Sequence, residues 1–177
     1  WDAVDAPLVE FTGTLARLRA QHPTFRRKRF FTGAAVRVGE RLNDIVWLHP
    51  EGRPMVDGDW GAADARALGM YLNGQGIAGR DATGNRIIDE HALLYFNGGF
   101  EPIQVCLPPK EYADAWEVAV DTAADERETT PLPAGTTREL AAHSVLVLIQ
   151  HTGGSAEPEL SAAASVAMMA KQASEAA

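Results

Sequence analysis

The sequence is poor in cysteine, in long apolar runs and in positive charge. Its single cysteine, Cys106, excludes an internal disulfide and a metal site built from several thiolates, and it predicts a reducing, cytoplasmic location. The longest aliphatic run, VLVLI at 145–149, is too short to span a bilayer. The opening residues show neither the basic nor the apolar region of a signal peptide. We therefore expect no membrane partner.

Basic residues are outnumbered, with 16 Lys and Arg against 24 Asp and Glu and a formal net charge of −8. A protein that neutralises several phosphates needs a basic surface, so the composition predicts no nucleic-acid partner. One stretch runs against this trend, HPTFRRKRFFTG at 22–33, where four consecutive bases precede Phe30 and Phe31. Taken alone, it fits a nucleic-acid arm, a nuclear-localisation signal, a solvated charge run or a seam between two domains.

Motifs for cofactors and catalysis are also missing. The sequence contains no G-x-S-x-G, H-E-x-x-H or P-loop. GQGIAG at 74–79 matches G-x-G-x-x-G, but RDATGNR follows it with no helical period, and a dinucleotide site needs a helix N-terminus there. We therefore predict no cofactor and interpret this segment as a glycine-rich loop.

Two acidic segments and the histidines carry groups that could serve in metal or catalytic sites. MVDGDWGAAD at 55–64 loses calcium-ligand spacing after its second aspartate, and we expect Asp59 to cap a short helix that begins near Trp60. DEH at 89–91 is interpreted as a turn or strand edge, since neighbouring residues on a strand point to opposite faces. The histidines show no ligand spacing, and mid-strand Cys106 is expected to be a buried, inert thiol. The sequence predicts no metal site and no catalytic residue.

The first element is predicted to be an amphipathic helix. Asp5 or Ala6 can cap it, Pro7 suits its first helical position, and Pro23 stops it. Its apolar residues recur every three or four positions and form one stripe: Leu8, Phe11, Leu15 and Leu18. The rest of the chain resembles strands, so we expect the natural partner of this stripe to be missing.

Short apolar runs separated by turn residues predict about seven strands from residue 36 onward. Trp116, Val118 and Val120 alternate with outward residues, and NGG at 97–99 is a hairpin signal. Strands without intervening helices favour an antiparallel sandwich or barrel, so the predicted class is mainly β. The predicted strands are 44–48, 68–72, 86–88, 92–96, 103–107, 116–120 and 145–149.

Tryptophans offer the remaining candidate site. Trp116 is assigned to the core by its strand alternation. Trp47 and Trp60 flank a long loop, so they are candidates for stacking on sugars, although large aromatics more often serve packing.

In their order along the chain, several stretches resemble the bacterial glycogen debranching enzymes of the isoamylase type, in the α-amylase superfamily (family 13 glycoside hydrolases). The two most distinctive are PLVEFTGTLARLRAQHPTFRRKRFFTG and DIVWLHPEGRPMVDGDW. ARALGMYLNG, LLYFNGGFEPIQVCLPP, WEVAVDT and SVLVLIQ extend the resemblance to about residue 150.

This resemblance implies that residues 1–33 are the last helix and linker of a (β/α)₈ barrel. Residues 34–151 would then be a Greek-key-like C-terminal β-sandwich. Residues 152–177 depart from the family, and their alanine-rich composition predicts a disordered tail or a frayed helix. The chain begins with Trp1 rather than methionine, which predicts a piece of a longer protein. The family hydrolyses α-1,6-glucosidic branch points with paired carboxylates on barrel strands. No residue here matches them, so this piece is expected to be inactive alone.

Two functions are open at this point. The chain is either a non-catalytic domain that stabilises its own catalytic barrel, or an independent carbohydrate-binding module for α-glucans such as glycogen. The first predicts the barrel as partner and, for the isolated chain, a homodimer through the exposed helix. The second predicts that Trp47 and Trp60 contact glucan.

Overall fold

The structure, a computed structural model, describes residues 4–36, 42–124 and 128–152; the predicted tail beyond Thr152 lies outside them. Within these ranges, two α-helices, α1 (Ala6–Gln21) and α2 (Asp57–Trp60), accompany eight strands. The strands are β1 (Ile45–Leu48), β2 (Ala67–Leu72), β3 (Ala92–Asn97), β4 (Ile103–Cys106), β5 (Ala115–Asp121), β6 (Leu132–Pro133), β7 (Thr137–Leu140) and β8 (Ser144–Gln150).

The strands form two antiparallel sheets that enclose the core. One sheet has the order β1-β2-β3-β8-β5-β6, and the other is the pair β4-β7. Val105 of β4 and Leu140 of β7 join one buried cluster with inward residues of the larger sheet, so the two sheets face each other. The predicted mainly β fold, an antiparallel β-sandwich preceded by one helix, is confirmed.

Alternation along β5 places its aromatic and aliphatic side chains in this core. Trp116, Val118 and Val120 are buried while Glu117 and Ala119 are half-buried on the other face, as the sequence predicted. β5 pairs with β8 along its length, with one register shift between Val118 and Val120.

NGG at 97–99 does not close a hairpin, contrary to the prediction. β3 pairs with β2 and β8, whereas β4 pairs with β7, so the chain changes sheets at this point. The buried Asn97 amide donates to the backbone oxygens of Glu101 and Ala141 at 2.9 Å, and its oxygen accepts from the Gly99 N–H at 2.9 Å. These bonds fix the segment in which the chain crosses from one sheet to the other, although the composition of this segment is typical of a tight turn.

The predicted strand at 86–88 is also wrong. Arg86 makes only an isolated bridge with Arg80, and Ile88 is exposed. The next residues, 89–90, pass closely over Gly74. β6 and β7 were not predicted, since β6 is two residues long and β7 buries only Leu140 fully.

α1 follows the helix signals of the sequence. The Asp5 carboxylate accepts the Leu8 N–H at 3.1 Å, Pro7 lies in the first turn, and the helix ends at Gln21, before Pro23. It buries none of its residues: Leu8 is 58% exposed, and Phe11 and Leu15 are each 39% exposed. No helix of the described ranges has the length and apolar character needed to cross a membrane.

Candidate functional site

Trp47 on β1 and Trp60 at the end of α2 form an exposed aromatic pair. Their ring centroids lie 6.1 Å apart with an interplanar angle of 83°, an edge-to-face contact. Trp47 is 39% exposed and Trp60 is 55% exposed, and the exposed Val56 lies between them in sequence at the start of α2. Trp116, by contrast, is fully buried in the core, as predicted.

A network of ion pairs supports this aromatic pair. Arg53 donates to the Asp59 carboxylate in a bidentate arrangement, at 2.6 and 3.0 Å, and also to Glu51 at 3.2 Å. Asp59 accepts the Val56 N–H at 2.8 Å, so it caps α2 from inside the first turn. The prediction that this helix begins near Trp60 is wrong, because Trp60 is its last residue.

The interaction between Arg53 and Asp59 shifts the pKa of both groups. The hydrogen bond from Arg53 holds the pKa of Asp59 well below its usual range, and the same bond raises the pKa of Arg53. Both groups therefore stay charged across the physiological range. This keeps α2, and with it Trp60, in a defined position against β1.

Such a pair has the chemistry to bind a sugar. Each indole leaves part of its ring open to solvent, and an aromatic face packs well against the C–H surface of a pyranose. The charged groups of Arg53 and Asp59 lie beside it, where they can meet hydroxyls. Glucan contact by Trp47 and Trp60 remains a prediction.

The basic run at 26–29 is divided between interior and surface. Arg27 turns inward: its guanidinium lies 4.0 Å from the centre of the Phe31 ring, donates to the Gly76 carbonyl at 2.7 Å and lies 3.5 Å from Asp44. Burial lowers the pKa of Arg27, and the charge of Asp44 offsets part of that effect. The other three bases, Arg26, Lys28 and Arg29, are exposed.

Phe30 and Phe31 likewise take different roles. Phe30 is 95% exposed, whereas Phe31 is half-buried under Arg27. The buried Asp44 carboxylate accepts the backbone N–H groups of Thr32 and Gly33 at 2.8 and 2.9 Å. Arg27 and Asp44 therefore anchor the basic run at 26–29 to the sandwich, while the other three bases of the run are exposed.

The glycine-rich segment predicted at 74–79 serves close packing. Gly74–Gly76 form a 3-10 turn, and no α-helix begins after it within the described residues. A Cβ on Gly74 would lie 2.2 Å from the Asp89 carbonyl oxygen. Glycine is therefore needed at position 74 because the backbone of residues 89–90 passes too close to leave room for a side chain.

A groove of about 700 Å³ separates α1 from the outer face of β5 and β8. Phe11 and Leu18 line it from the helix, and Glu117, Ala119 and Gln150 line it from the sheet and the end of β8. The helix therefore lies beside the sandwich without packing on it along its length.

His22, at the C-terminal end of α1, anchors that end of the helix. Its Nδ1 lies 3.0 Å from Asp89 Oδ1 and 3.7 Å from Glu90 Oε2. Asp89 also accepts the Thr24 N–H at 2.9 Å. Sequence reasoning did not link DEH to His22, because the two are 67 positions apart and only the fold brings them together.

Cys106 is half-buried rather than buried, which corrects the expectation for the lone thiol. It is the last residue of β4, and its Sγ lies 3.5 Å from the Leu107 carbonyl oxygen. Its neighbours Val105 and Leu107 point inward and are buried in the core instead.

No family model matches the chain. It is 40% identical over 124 residues to the "Glycogen operon protein GlgX homolog" of Mycobacterium bovis, and equally to the proteins of that name in two strains of Mycobacterium tuberculosis. The match covers 69% of this chain and 17% of each relative, so the chain spans about a sixth of the length of the curated relatives it matches. It confirms the resemblance identified from the sequence.

Among solved structures, the chain is similar to a pullulanase from Anoxybacillus sp. LM18-11 crystallised with maltotetraose. The similarity has a TM-score of 0.41 and 13% identity, and it covers 78% of this chain and 14% of the pullulanase chain. The sandwich assignment rests on the strand pairing described above.

Proposed function

We propose that this chain, a relative of the GlgX proteins, is the non-catalytic C-terminal β-sandwich region of a cytoplasmic glycogen debranching enzyme. The longer enzyme would hydrolyse α-1,6-glucosidic branch points, and the sandwich would stabilise its catalytic barrel. In this proposal residues 1–33 are the last barrel helix and linker, and residues 34–151 are the sandwich. The relatives' name and their greater length support it.

The observation that carries the proposal is the contrast between a closed core and an open helix. The sandwich buries a continuous cluster between its two sheets. α1, in the same chain, buries none of its residues and presents Leu8, Phe11 and Leu15 to solvent. Burying such side chains is worth roughly 1.5–3 kcal/mol each, so an exposed stripe of this kind marks a contact surface.

The outward half of the basic run extends the same surface. Arg26, Lys28 and Arg29 are exposed beside the exposed Phe30, directly after α1. In the proposed enzyme, these bases would meet acidic barrel surface and Phe30 would fill the join, while Arg27 and Asp44 keep the linker fixed to the sandwich.

Activity measurements test this proposal. Purified chain should release no reducing ends from branched glucan. A polypeptide extended upstream along the same reading frame should release them, and Phe11→Asp in that longer polypeptide should lower the temperature at which activity is lost. Debranching by the purified chain alone would contradict the proposal, as would an upstream frame without barrel strands and paired carboxylates.

A second candidate function is α-glucan binding as an independent module, favoured by the Trp47–Trp60 pair. Both rings are exposed, and the Arg53–Asp59 ion pair holds them on one face. The partly open ring faces offer apolar surface on which a sugar ring could stack.

Titration with maltoheptaose or glycogen separates the two functions. Saturable binding that Trp60→Ala weakens would favour the module. Phe30→Ala is a matched control, because Phe30 is an exposed aromatic outside this pair. If the chain binds neither glucan, only the barrel-stabilising role remains.

By itself, the chain should also dimerise through residues 8–18. Two copies could cover each other's Leu8, Phe11 and Leu15 in place of the barrel. The gain from partly exposed side chains is modest against the free-energy cost of association, so this dimer should be weak and concentration-dependent.

A further inference from the structure

We propose that His22, Asp89 and Glu90 bind a divalent transition-metal ion, with Zn²⁺ as the best fit. One ligand atom from each residue, His22 Nδ1 and a carboxylate oxygen of Asp89 and of Glu90, lies within 4.8 Å of the other two. Imidazole nitrogen and carboxylate oxygen are both ligands that Zn²⁺ accepts, and three protein ligands leave a fourth position for water.

Two of the three spacings between the ligand atoms are close to those of tetrahedral coordination. Bonds of about 2.0–2.1 Å at tetrahedral angles place neighbouring ligand atoms about 3.3–3.4 Å apart. His22 Nδ1 lies 3.0 Å from Asp89 Oδ1 and 3.7 Å from Glu90 Oε2, one on either side of that value. The carboxylate oxygens of Asp89 and Glu90 lie within 4.8 Å of each other, and the more exposed Glu90 side chain would move to close the site.

Two of the three ligands are already held in place. The Asp89 side chain is 3% exposed and accepts backbone N–H groups of Thr24 and Glu90, each at 2.9 Å. The His22 ring makes an edge-to-face contact with Phe25 at 6.2 Å. Such outer contacts orient metal ligands and raise affinity, because less order has to be imposed on binding.

Glu90 brings a second carboxylate to the same histidine and also hydrogen-bonds the Asp89 side chain. One ring nitrogen that hydrogen-bonds Asp89 needs no second carboxylate, yet Glu90 turns its carboxylate toward the same atom. Two carboxylates against one histidine leave an excess of negative charge, which a divalent cation would neutralise. The metal would take the position of the proton on Nδ1, and the neutral ring would carry its one proton on Nε2.

The site would connect two parts of the fold. His22 ends α1, and residues 89–90 lead into β3, so a bound ion would attach the helix to the sandwich at one end of the groove. Glu90 and His22 both line that groove, which leaves room for the open position. Metal binding would thus set how firmly the proposed contact helix is held.

The test is a Zn²⁺ titration of the tag-free 177-residue chain by calorimetry, together with its melting temperature with and without Zn²⁺. Glu90→Gln is the main variant, because Glu90 is 41% exposed and the His22–Asp89 contact survives its replacement. His22→Ala is the second. His151→Ala is the matched control, since His151 pairs with Glu117, which also lines the groove.

We expect one Zn²⁺ per chain, with a rise in melting temperature that saturates at the same ratio. Glu90→Gln should weaken binding at least about tenfold, His22→Ala should abolish it, and His151→Ala should leave it unchanged. The proposal is overturned if the unaltered chain binds no Zn²⁺, if Glu90→Gln binds as well as the unaltered chain, or if His151→Ala loses as much affinity. Because Glu90 is 41% exposed, we expect Glu90→Gln to keep the fold, so it decides the matter even if His22→Ala unfolds.

Discussion

Asp44 should be one of the most sensitive positions of this protein. It is buried, pairs with the equally buried guanidinium of Arg27 at 3.5 Å, and accepts the backbone N–H groups of Thr32 and Gly33. Asp44→Ala removes all of these acceptors at once. It also leaves the charge of Arg27 without its partner in a site from which most water is excluded.

The expected loss can be worked out from these contacts. Breaking a buried ion pair by removing one partner costs about 3–5 kcal/mol, and each lost hydrogen bond to a charged group costs about 1.5–3 kcal/mol. These contributions share one carboxylate and are not additive, so we expect a loss of about 4 kcal/mol in the free energy of unfolding. For a chain of this size, that lowers the melting temperature by roughly 8–16 °C.

Urea unfolding followed by circular dichroism measures the effect. Lys28→Ala, from the exposed part of the same basic run, is the control and should change the free energy of unfolding by less than about 0.5 kcal/mol. Arg27→Met combined with Asp44→Ala should recover part of the loss, because it removes the unpaired buried charge. A loss below about 1 kcal/mol for Asp44→Ala, or no recovery in the double variant, would refute the reasoning.

Three further outcomes follow from the structure. The Tyr95 hydroxyl donates to the Cys106 carbonyl at 2.7 Å, and burial raises its pKa. Its contribution to the free energy of unfolding is therefore fully present below the unfolded pKa of about 10 and is lost as the pH rises above that value. Tyr95→Phe should therefore lower the free energy of unfolding by about 1 kcal/mol at neutral pH and flatten its alkaline decline, and an unchanged decline in urea titrations would contradict this. Gly74→Ala should destabilise by about 3 kcal/mol or more in the same assay, because its Cβ would meet a facing backbone carbonyl, while Gly58→Ala, with open space around it, should not. Polar replacement of Phe11 and Leu15 should make the chain monomeric at concentrations where sedimentation shows the unaltered chain as a dimer, and a monomeric unaltered chain would refute the dimer.

The sequence by itself determined the local elements and the relation to glycogen debranching proteins. α1 could be placed to within about a residue because its cap at Asp5, its apolar period and Pro23 act within a few positions. Strands with strong alternation, such as β5 with Trp116, could be placed for the same reason. Weak or very short strands could not, since β6 and β7 carry too few buried side chains to form a pattern.

Tertiary structure decided which strands pair and which distant residues meet. NGG at 97–99 suits a hairpin, yet the Asn97 amide holds a crossing between sheets, because one of its acceptors, the Ala141 carbonyl, lies in the distant turn before β8. Trp47 and Trp60 form a pair only because the Arg53–Asp59 bonds seat α2 beside β1. Contacts of this kind depend on loop closure over many residues, and local periodicity carries no information about them.

The His22–Asp89 contact shows the same limit most plainly. Nothing in the spacing of HPTF or DEH relates the two segments, which lie 67 positions apart. They meet because the chain leaving β2 turns at Gly74, and residues 89–90 pass over it with no room for a side chain. The sequence determined which groups are available for chemistry, and the packing of two backbone segments at one glycine decided where they come together.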